Sequence, residues 1–145
     1  MKNTSIKEEL LKNGNIIFPN KGTSMLPLLR EGRDVMIIKK KKKGKRFHKG
    51  DAVLFERANG DLVLHRISDV IRGGGYLIIG DNCTEKEYVR EKDVLGIMTG
   101  VIRDGKKTVK VTDPAYRLYV NAWTGILPIR KIYMKARGRI AKMRK

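Results

Sequence analysis

Glycine-containing turns divide the middle of this chain into short apolar runs, and this division constrains the fold more than any other feature. Asn59-Gly60 joins two β-rich runs and is a strong signal for a type I′ hairpin. Asp104-Gly105 marks a second hairpin. The predicted strands are residues 16–18, 35–38, 51–57, 61–71, 76–79, 94–103 and 106–112. The sequence therefore predicts a mainly β domain built from a small antiparallel or mixed sheet.

Both ends of the chain favour helices. A capping-box pattern ending in Glu8 begins a short N-terminal helix, which Gly14 ends. After residue 114 the composition changes, and Pro128 begins a basic amphipathic helix. We therefore predict a β domain over residues 1–114 and a basic amphipathic helical tail over residues 115–145.

The net charge of +18 predicts attraction to an anionic partner, either nucleic acid or an acidic-lipid membrane surface. Seventeen of the 33 basic residues lie in two segments, 39–49 and 115–145. Segment 39–49 has no acidic residue, so its charges repel one another and we predict a mobile loop. The candidates for binding a membrane or another anion are Lys40, Lys41, Lys42, Lys43, Arg130, Lys131, Lys135 and Arg137.

The supply of cysteine and histidine limits metal chemistry and disulfides. Cys83 is the single cysteine, so an internal disulfide is excluded and a reducing compartment is expected. With only His48, His65 and Cys83 as nitrogen or sulfur ligands, we predict no metal site and no cofactor. We also predict no signal peptide and no transmembrane helix. The expected location is the cytoplasm, with peripheral contact at the inner membrane face as a further hypothesis.

Ser24 and His65 are the candidates for nucleophilic chemistry. Ser24 lies in the sequence GTSMLP at 22–27, between a glycine turn and a predicted helical turn. A serine hydroxyl needs a base to become nucleophilic, and neutral imidazole suits that task. The purely structural interpretation is that Ser24 is a turn residue and that His65 is a packed strand residue.

Five segments, taken in order, resemble the signal peptidase I family, and especially its eukaryotic ER and archaeal branch, which uses serine and histidine. The first resembles the nucleophile box. The third resembles the base segment, where the bacterial branch and the related self-cleaving repressors carry lysine. The segments are residues 22–27, 49–53, 64–67, 80–82 and 91–96. The resemblance covers roughly three fifths of the chain, residues 16–101, and implies a fold of the signal-peptidase and repressor-autoprotease type.

The resemblance also implies roles for individual residues. Ser24 would be the nucleophile and its backbone N–H the oxyanion hole, and His65 would be the general base. A carboxylate a few residues after the fourth segment would orient the histidine. The family usually has aspartate there, whereas this chain has Glu87, with Glu85 nearby. Asp81 is the alternative for this third group.

The resemblance predicts a serine endopeptidase with a Ser–His dyad or triad, acting on a peptide or precursor protein without a cofactor. Its substrate would bind as an added strand and be cleaved near a small residue. Typical members have an N-terminal membrane helix, whereas this chain has a short polar-faced helix before Ser24. We expect the basic tail to replace that anchor at the membrane surface, with Trp123 and Tyr133 at headgroup depth. Cys83 is interpreted as structural.

Two other hypotheses stay open on the sequence. In the first, the chain is a non-enzymatic basic module that binds nucleic acid or acidic lipid. In the second, it is a degenerate, inactive peptidase. No helix-turn-helix pattern precedes Ser24, and aromatic residues are few for an RNA-stacking sheet. Nucleic acid is therefore the weaker partner, although the charge does not exclude it. The sequence leaves the oligomeric state undefined.

Overall fold

The structure is a computed structural model that describes residues 3–125 and Ala136. It is mainly β, with eight strands in one antiparallel sheet and two flanking helices. The elements are α1 (Asn3–Asn13), β1 (Asn15–Pro19), β2 (Asp34–Lys40), β3 (Ala52–Glu56), β4 (Leu62–Val70), β5 (Tyr76–Ile79), β6 (Glu87–Val89), a 3₁₀ turn (Glu91–Asp93), β7 (Val94–Arg103), β8 (Lys107–Lys110) and α2 (Pro114–Gly125). The prediction of a mainly β chain with a short N-terminal helix is confirmed.

The strand order is β1-β2-β7-β3-β4-β5-β6, with β8 paired to β7 beside this path. All pairs are antiparallel. The register shifts within β2 between Ile37 and Ile38, and within β4 between Ile67 and Asp69. Such irregularities bend strands and increase their twist. β1 and β6 are the outer strands of the order, so each has one side without a strand partner in the described sheet.

The sheet buries apolar side chains on both faces. One face packs against α1 through Ile6 and Leu10 and against α2 through Tyr116. The other face forms a second cluster around Phe55 and Tyr76. The central strand β3 is consequently buried from Ala52 to Phe55. Each fully buried aliphatic or aromatic side chain contributes about 1.5–3 kcal/mol, so these two clusters fix the sheet on which the candidate site is built.

The two predicted hairpins form, but their turn types differ. At Asp104-Gly105 both residues have positive φ, 53° and 66°, as a type I′ turn requires. At Asn59-Gly60 only the glycine has positive φ, 91°, so the predicted type I′ turn is wrong there. The Asn59 side chain instead accepts the Asp61 N–H, which holds Asn59 in a turn of ordinary handedness.

The lysine-rich segment 39–49 differs from a freely mobile loop at several points, since it begins within β2 and makes hydrogen bonds to other segments. Lys42, Lys43 and Lys45 are exposed, as their charge predicts. Phe47, however, is buried, and its N–H donates to the Tyr76 hydroxyl at 3.0 Å. Arg46 also donates to the Gly75 carbonyl at 3.1 Å, so the segment is anchored at more than one residue.

The helix expected from Pro128 lies outside the described residues. α2 occupies the first part of the predicted tail and packs on the sheet. In the described part of the chain, no helix is both long and apolar enough to cross a membrane. Nor do the described residues contain a group of three histidine, cysteine, aspartate or glutamate side chains that would hold a metal ion.

Candidate active site

Ser24 lies in a tight turn that follows β1. The Leu26 N–H donates to the Thr23 carbonyl at 3.1 Å, and the Leu29 N–H donates to the Met25 carbonyl at 2.9 Å. Met25 and Leu29 are buried in the core, whereas Ser24 is half-buried at its edge. The apolar residues after the serine therefore anchor the turn and leave Ser24 at the surface.

The loop after β5 binds to this turn. The Asn82 N–H donates to the Ser24 carbonyl at 2.8 Å, and the Asn82 side-chain amide donates to the Thr23 carbonyl at 3.0 Å. The Asp81 N–H contacts Met25 Sδ at 3.3 Å. The predicted 80–82 segment thus holds the Ser24 turn in place, a role that the sequence did not indicate.

Gly80 marks the point at which the candidate residues converge. A methyl group built there would lie 2.6 Å from the Ser24 carbonyl oxygen, 2.7 Å from Cys83 Sγ and 3.1 Å from His65 Nε2. Contacts below 3.0 Å essentially never occur at a real Cβ, so the packing admits only glycine. Ser24, His65 and Cys83, from three separate segments, therefore meet around a single backbone position.

His65 is held in β4 opposite Val53 of β3. The residue is only 6% exposed, and its ring lies edge-on to Phe55 with 6.1 Å between ring centroids. Burial lowers the pKa of His65 to about 4; Glu87 opposes this shift, and Arg57 adds to it. The imidazole is therefore neutral at neutral pH, which is the form that accepts a proton.

Glu87 lies on the Nδ1 side of the histidine. Its Oε1 is 3.8 Å from His65 Nδ1, longer than a hydrogen bond. The same carboxylate accepts two hydrogen bonds from Arg57, at 2.7 and 3.2 Å. Glu87 is thus held beside the imidazole on the short strand β6, which the sequence analysis did not predict. Glu85 is exposed.

Asp81, the alternative third group, lies in a buried ion pair. Its carboxylate accepts hydrogen bonds from Arg66 at 2.8 and 2.9 Å and from the Tyr119 hydroxyl at 2.8 Å. Burial opposes the charge on Arg66, but the hydrogen bonds and charge of Asp81 outweigh it and raise the pKa of the guanidinium. Of the two carboxylates, Glu87 is therefore the better placed to orient His65, and Asp81 stabilises the loop.

The helix α2 covers this ion pair with aromatic side chains. The Arg66 guanidinium lies over the rings of Tyr116 and Tyr119, at 5.7 and 5.8 Å from their centroids. The Trp123 indole N–H donates to the Asp81 carbonyl at 2.7 Å. Trp123, which we expected at a membrane surface, therefore bonds to the loop that supports Ser24.

A groove of about 560 Å³ runs past Ser24 and His65. One wall comes from β1 and the residues after it, and the other from the beginning of β4. The lining residues are Ile6, Ile17, Phe18, Pro19, Asn20, Lys21, Ser24, Met36, Arg57, Leu62, Val63, Leu64, His65 and Cys83. The walls are largely apolar, with the nucleophile and base candidates on the same surface.

Two polar groups of Ser24, a residue that lines this groove, make no hydrogen bond to the rest of the described chain. Neither its Oγ nor its backbone N–H has a hydrogen-bond partner among the described residues. Ser24 Oγ and His65 Nε2 are therefore not bonded to each other in this state. Catalytic hydrogen bonds are often loose without substrate and tighten when substrate binds.

The candidate anion-binding lysines have different surroundings. Lys40 Nζ donates to the Leu11 carbonyl at 3.3 Å, and Lys41 Nζ donates to the Glu91 carbonyl at 2.7 Å. Lys42 and Lys43 are exposed. The remaining candidates, Arg130, Lys131, Lys135 and Arg137, lie outside the described residues.

Sequence reasoning missed the supporting aromatic residues of α2, although a signal was present. Tyr116, Tyr119 and Trp123 are spaced i, i+3 and i+7, which places them on one face of a helix. It also missed Arg57, which directly follows β3, the strand paired with β4, and holds Glu87.

No protein-family model matches the chain, and no curated protein matches it in sequence. The structure shows a mainly β chain with one antiparallel sheet and a groove lined by Ser24 and His65. The resemblance to signal peptidases rests on the five sequence segments alone.

Proposed function

We propose that this chain is a serine endopeptidase of the signal peptidase type, with the corresponding β fold, Ser24 as its nucleophile and His65 as its general base. This proposal is carried by one arrangement: Ser24 and His65 line the same apolar groove, and the Ser24 carbonyl oxygen and His65 Nε2 converge on Gly80. The two residues lie 41 positions apart in the sequence. Packing of the core alone requires neither a serine nor a histidine at the place where they meet.

The proposed reaction begins with a peptide carbonyl beside Ser24. Oγ attacks the carbonyl carbon while His65 Nε2 takes the hydroxyl proton, and the Ser24 N–H donates to the developing oxyanion. His65 then gives its proton to the departing amine, which leaves an acyl-enzyme. Water, deprotonated by His65, hydrolyses that ester and regenerates Ser24.

The electrostatics of His65 act on this cycle in two ways. The lowered pKa keeps the imidazole neutral before the reaction, although it also makes the ring a weaker base. Once Nε2 is protonated, the Glu87 carboxylate, 3.8 Å from Nδ1, stabilises the imidazolium. Glutamate thus serves in place of the aspartate that is usual in the family.

The groove favours an extended peptide as substrate. β1 is an outer strand with one side unpaired in the described sheet, and Ile17 on it is 63% exposed. A peptide strand can add to such an edge, with alternate side chains facing the apolar walls. The exposed lysines of segment 39–49 support peripheral binding to an anionic membrane, since each basic residue near such a surface contributes roughly 1 kcal/mol.

A serine-reactive fluorophosphonate probe tests the proposal on the full chain. We expect labelling of the wild type and loss of labelling in Ser24→Ala and in His65→Ala. His48→Ala is the matched control, because His48 is the other histidine and its side chain is 88% exposed. Its labelling should equal that of the wild type.

Absence of wild-type labelling, both with and without acidic liposomes, would overturn the proposal. Ser24 would then be a turn residue. The binding-module hypothesis would take its place, and it predicts a salt-dependent affinity for nucleic acid or acidic lipid.

A further inference from the structure

Asn20 lines the same groove as Ser24 and His65, although the proposed reaction gives it no role. It directly follows β1 and is 7% exposed, so the residue is more than nine-tenths buried. Its Nδ2 is buried and has no hydrogen-bond partner among the described residues. Buried donors are normally paired, and an unpaired one costs free energy. The amide therefore destabilises the unliganded fold relative to an apolar side chain of similar shape.

The backbone of Asn20 continues the pairing of β1 with β2. The Asn20 N–H donates to the Asp34 carbonyl at 3.3 Å. At the other end of β1, the Lys40 N–H donates to the Gly14 carbonyl at 2.9 Å, in the same phase of the ladder. The N–H and C=O of the alternate residue Ile17 consequently point to the open side of β1. A peptide added there would form backbone hydrogen bonds with Ile17, and none with the backbone of Asn20.

The side chain of Asn20 lies on a face of the sheet and not at its edge. Alternate residues of a strand share a face, so Asn20 lies on the same face as Ile16 and Phe18. Both apolar residues pack in the cluster beneath α1, and Phe18 also lines the groove. The side chains of an added strand would lie beside those of β1 on each face. Asn20 would therefore meet a side chain of the peptide.

The surroundings of the groove determine the chemistry of that side chain. An unpaired N–H donor requires an acceptor, and the groove walls are largely apolar. Of the two cations that line the groove, Lys21 is exposed and Arg57 is paired with Glu87. A carboxylate buried beside Asn20 would lose its hydration without gaining a buried counter-ion. An amide or hydroxyl side chain supplies the oxygen without that cost.

We propose that Asn20 is a specificity-determining residue, which selects peptides that carry an amide or hydroxyl side chain at the position beside it. Nδ2 donates to the oxygen of that side chain, after rotation of the amide about its soft χ2 torsion where the geometry requires it. The inference rests on the proposed function, since it takes the groove as the site of an extended peptide. It adds a polar requirement to the small residue expected at the point of cleavage.

Peptide binding is measured by fluorescence anisotropy on the full chain with Ser24→Ala, so that cleavage does not interfere. The probes are fluorescein-labelled alanine–glycine octapeptides in which one residue is moved through every position. Glutamine is compared with methionine, which has similar length but no oxygen, and serine is compared with alanine. We expect one position at which glutamine or serine binds about tenfold more tightly than its apolar counterpart.

Variants of Asn20 separate this role from a structural one. In the Ser24→Ala background, Asn20→Leu and Asn20→Ala should both lose the preference for the polar peptides. Asn121→Leu is the matched control, since Asn121 is exposed on α2, and it should keep the preference. The urea midpoint of Asn20→Leu should be no lower than that of its parent, because the unpaired donor is gone. A lower midpoint with an unchanged preference would make Asn20 a structural residue and overturn the proposal.

The fluorophosphonate experiment keeps this proposal distinguishable from the proposed function. A polar preference that depends on Asn20, without labelling of the wild type, would refute the peptidase but leave a peptide-binding groove with this specificity. Labelling of Ser24 with equal binding of the polar and apolar peptides would do the reverse. The absence of binding by every peptide would also overturn the role of Asn20.

Discussion

His65 and Arg66 are neighbours on β4, yet their side chains lie in opposite chemical environments. Both are buried, with 6% and 1% of their surface exposed. Arg66 donates to the Asp81 carboxylate, to the Gly50 carbonyl and to the Tyr116 hydroxyl. The Nε2 of His65 has no such partner among the described residues, and its other nitrogen is 3.8 Å from a carboxylate oxygen.

This difference separates a polar group that stabilises the fold from one that is available for chemistry. A buried charge is tolerated when it is paired and fully hydrogen-bonded, as Arg66 is. An ionisable group that lines a groove and has a strongly shifted pKa, as His65 does, is a candidate for chemistry, because such groups cluster at functional sites. Alternation along a single strand thus directs one residue to a stabilising network and the next to the groove.

The largest loss of stability should come from breaking the buried ion pair between Arg66 and Asp81. Arg66→Met leaves the Asp81 carboxylate buried without its cation, so we expect a loss of about 3–5 kcal/mol in the free energy of unfolding, measured by urea denaturation. Arg57→Met is the matched control, because that pair is exposed and worth about 0–1 kcal/mol. Equal losses in the two variants would contradict the assignment of Arg66 to a stabilising role.

The role of His65 should be visible in the pH dependence of stability. His65 has a pKa of about 4 in the folded chain and 6.5 as its ordinary value. Between these values the unfolded chain binds the extra proton, so stability is complete above pH 6.5 and falls as the pH is lowered towards 4. This contribution amounts to at most about 3 kcal/mol.

Urea midpoints measured from pH 7 to pH 4 test this linkage. His65→Gln should lose less stability than the wild type over that range, because the substituted residue does not titrate. Parallel curves for the two proteins would show that His65 binds its proton equally well in both states.

The smallest loss of stability is expected from the contact between α2 and the loop that contains Asp81. Trp123→Phe removes the indole N–H that donates to the Asp81 carbonyl, which should cost about 1 kcal/mol and slow labelling of Ser24 by the probe. Leu118→Ala, on the same helix but 71% exposed, is the control. A Trp123→Phe protein with wild-type stability and labelling would remove α2 from the support of the site.

Most of the strands were accessible from the sequence because their signals are local, whereas the meeting of Ser24 with His65 was expected from the family resemblance. Turn residues such as Asp104-Gly105 restrict the backbone where they stand. The segments around Ser24, His65 and Gly80 carried the family resemblance in fixed order. The structure places all three together, and the catalytic roles stay predictions.

The features that the sequence did not predict depend on contacts between residues that are distant in the chain. β6 has only three residues, Glu87–Val89, and is defined by pairing with β5 rather than by an apolar pattern. Arg66 would ordinarily be assigned to solvent, since an arginine is buried only when a partner such as Asp81 is supplied by another segment. Asn59-Gly60 failed as a type I′ turn because a side-chain hydrogen bond fixed a different geometry.

The bond from Trp123 to Asp81 has a consequence for the order in which the molecule assembles. During synthesis, Ser24, His65 and the Gly80 loop emerge well before α2. The aromatic cover over the Arg66–Asp81 pair comes from the later helix. We expect the groove to reach its final form only after that helix docks, so a nascent chain would carry all the residues of the candidate site before the site is complete.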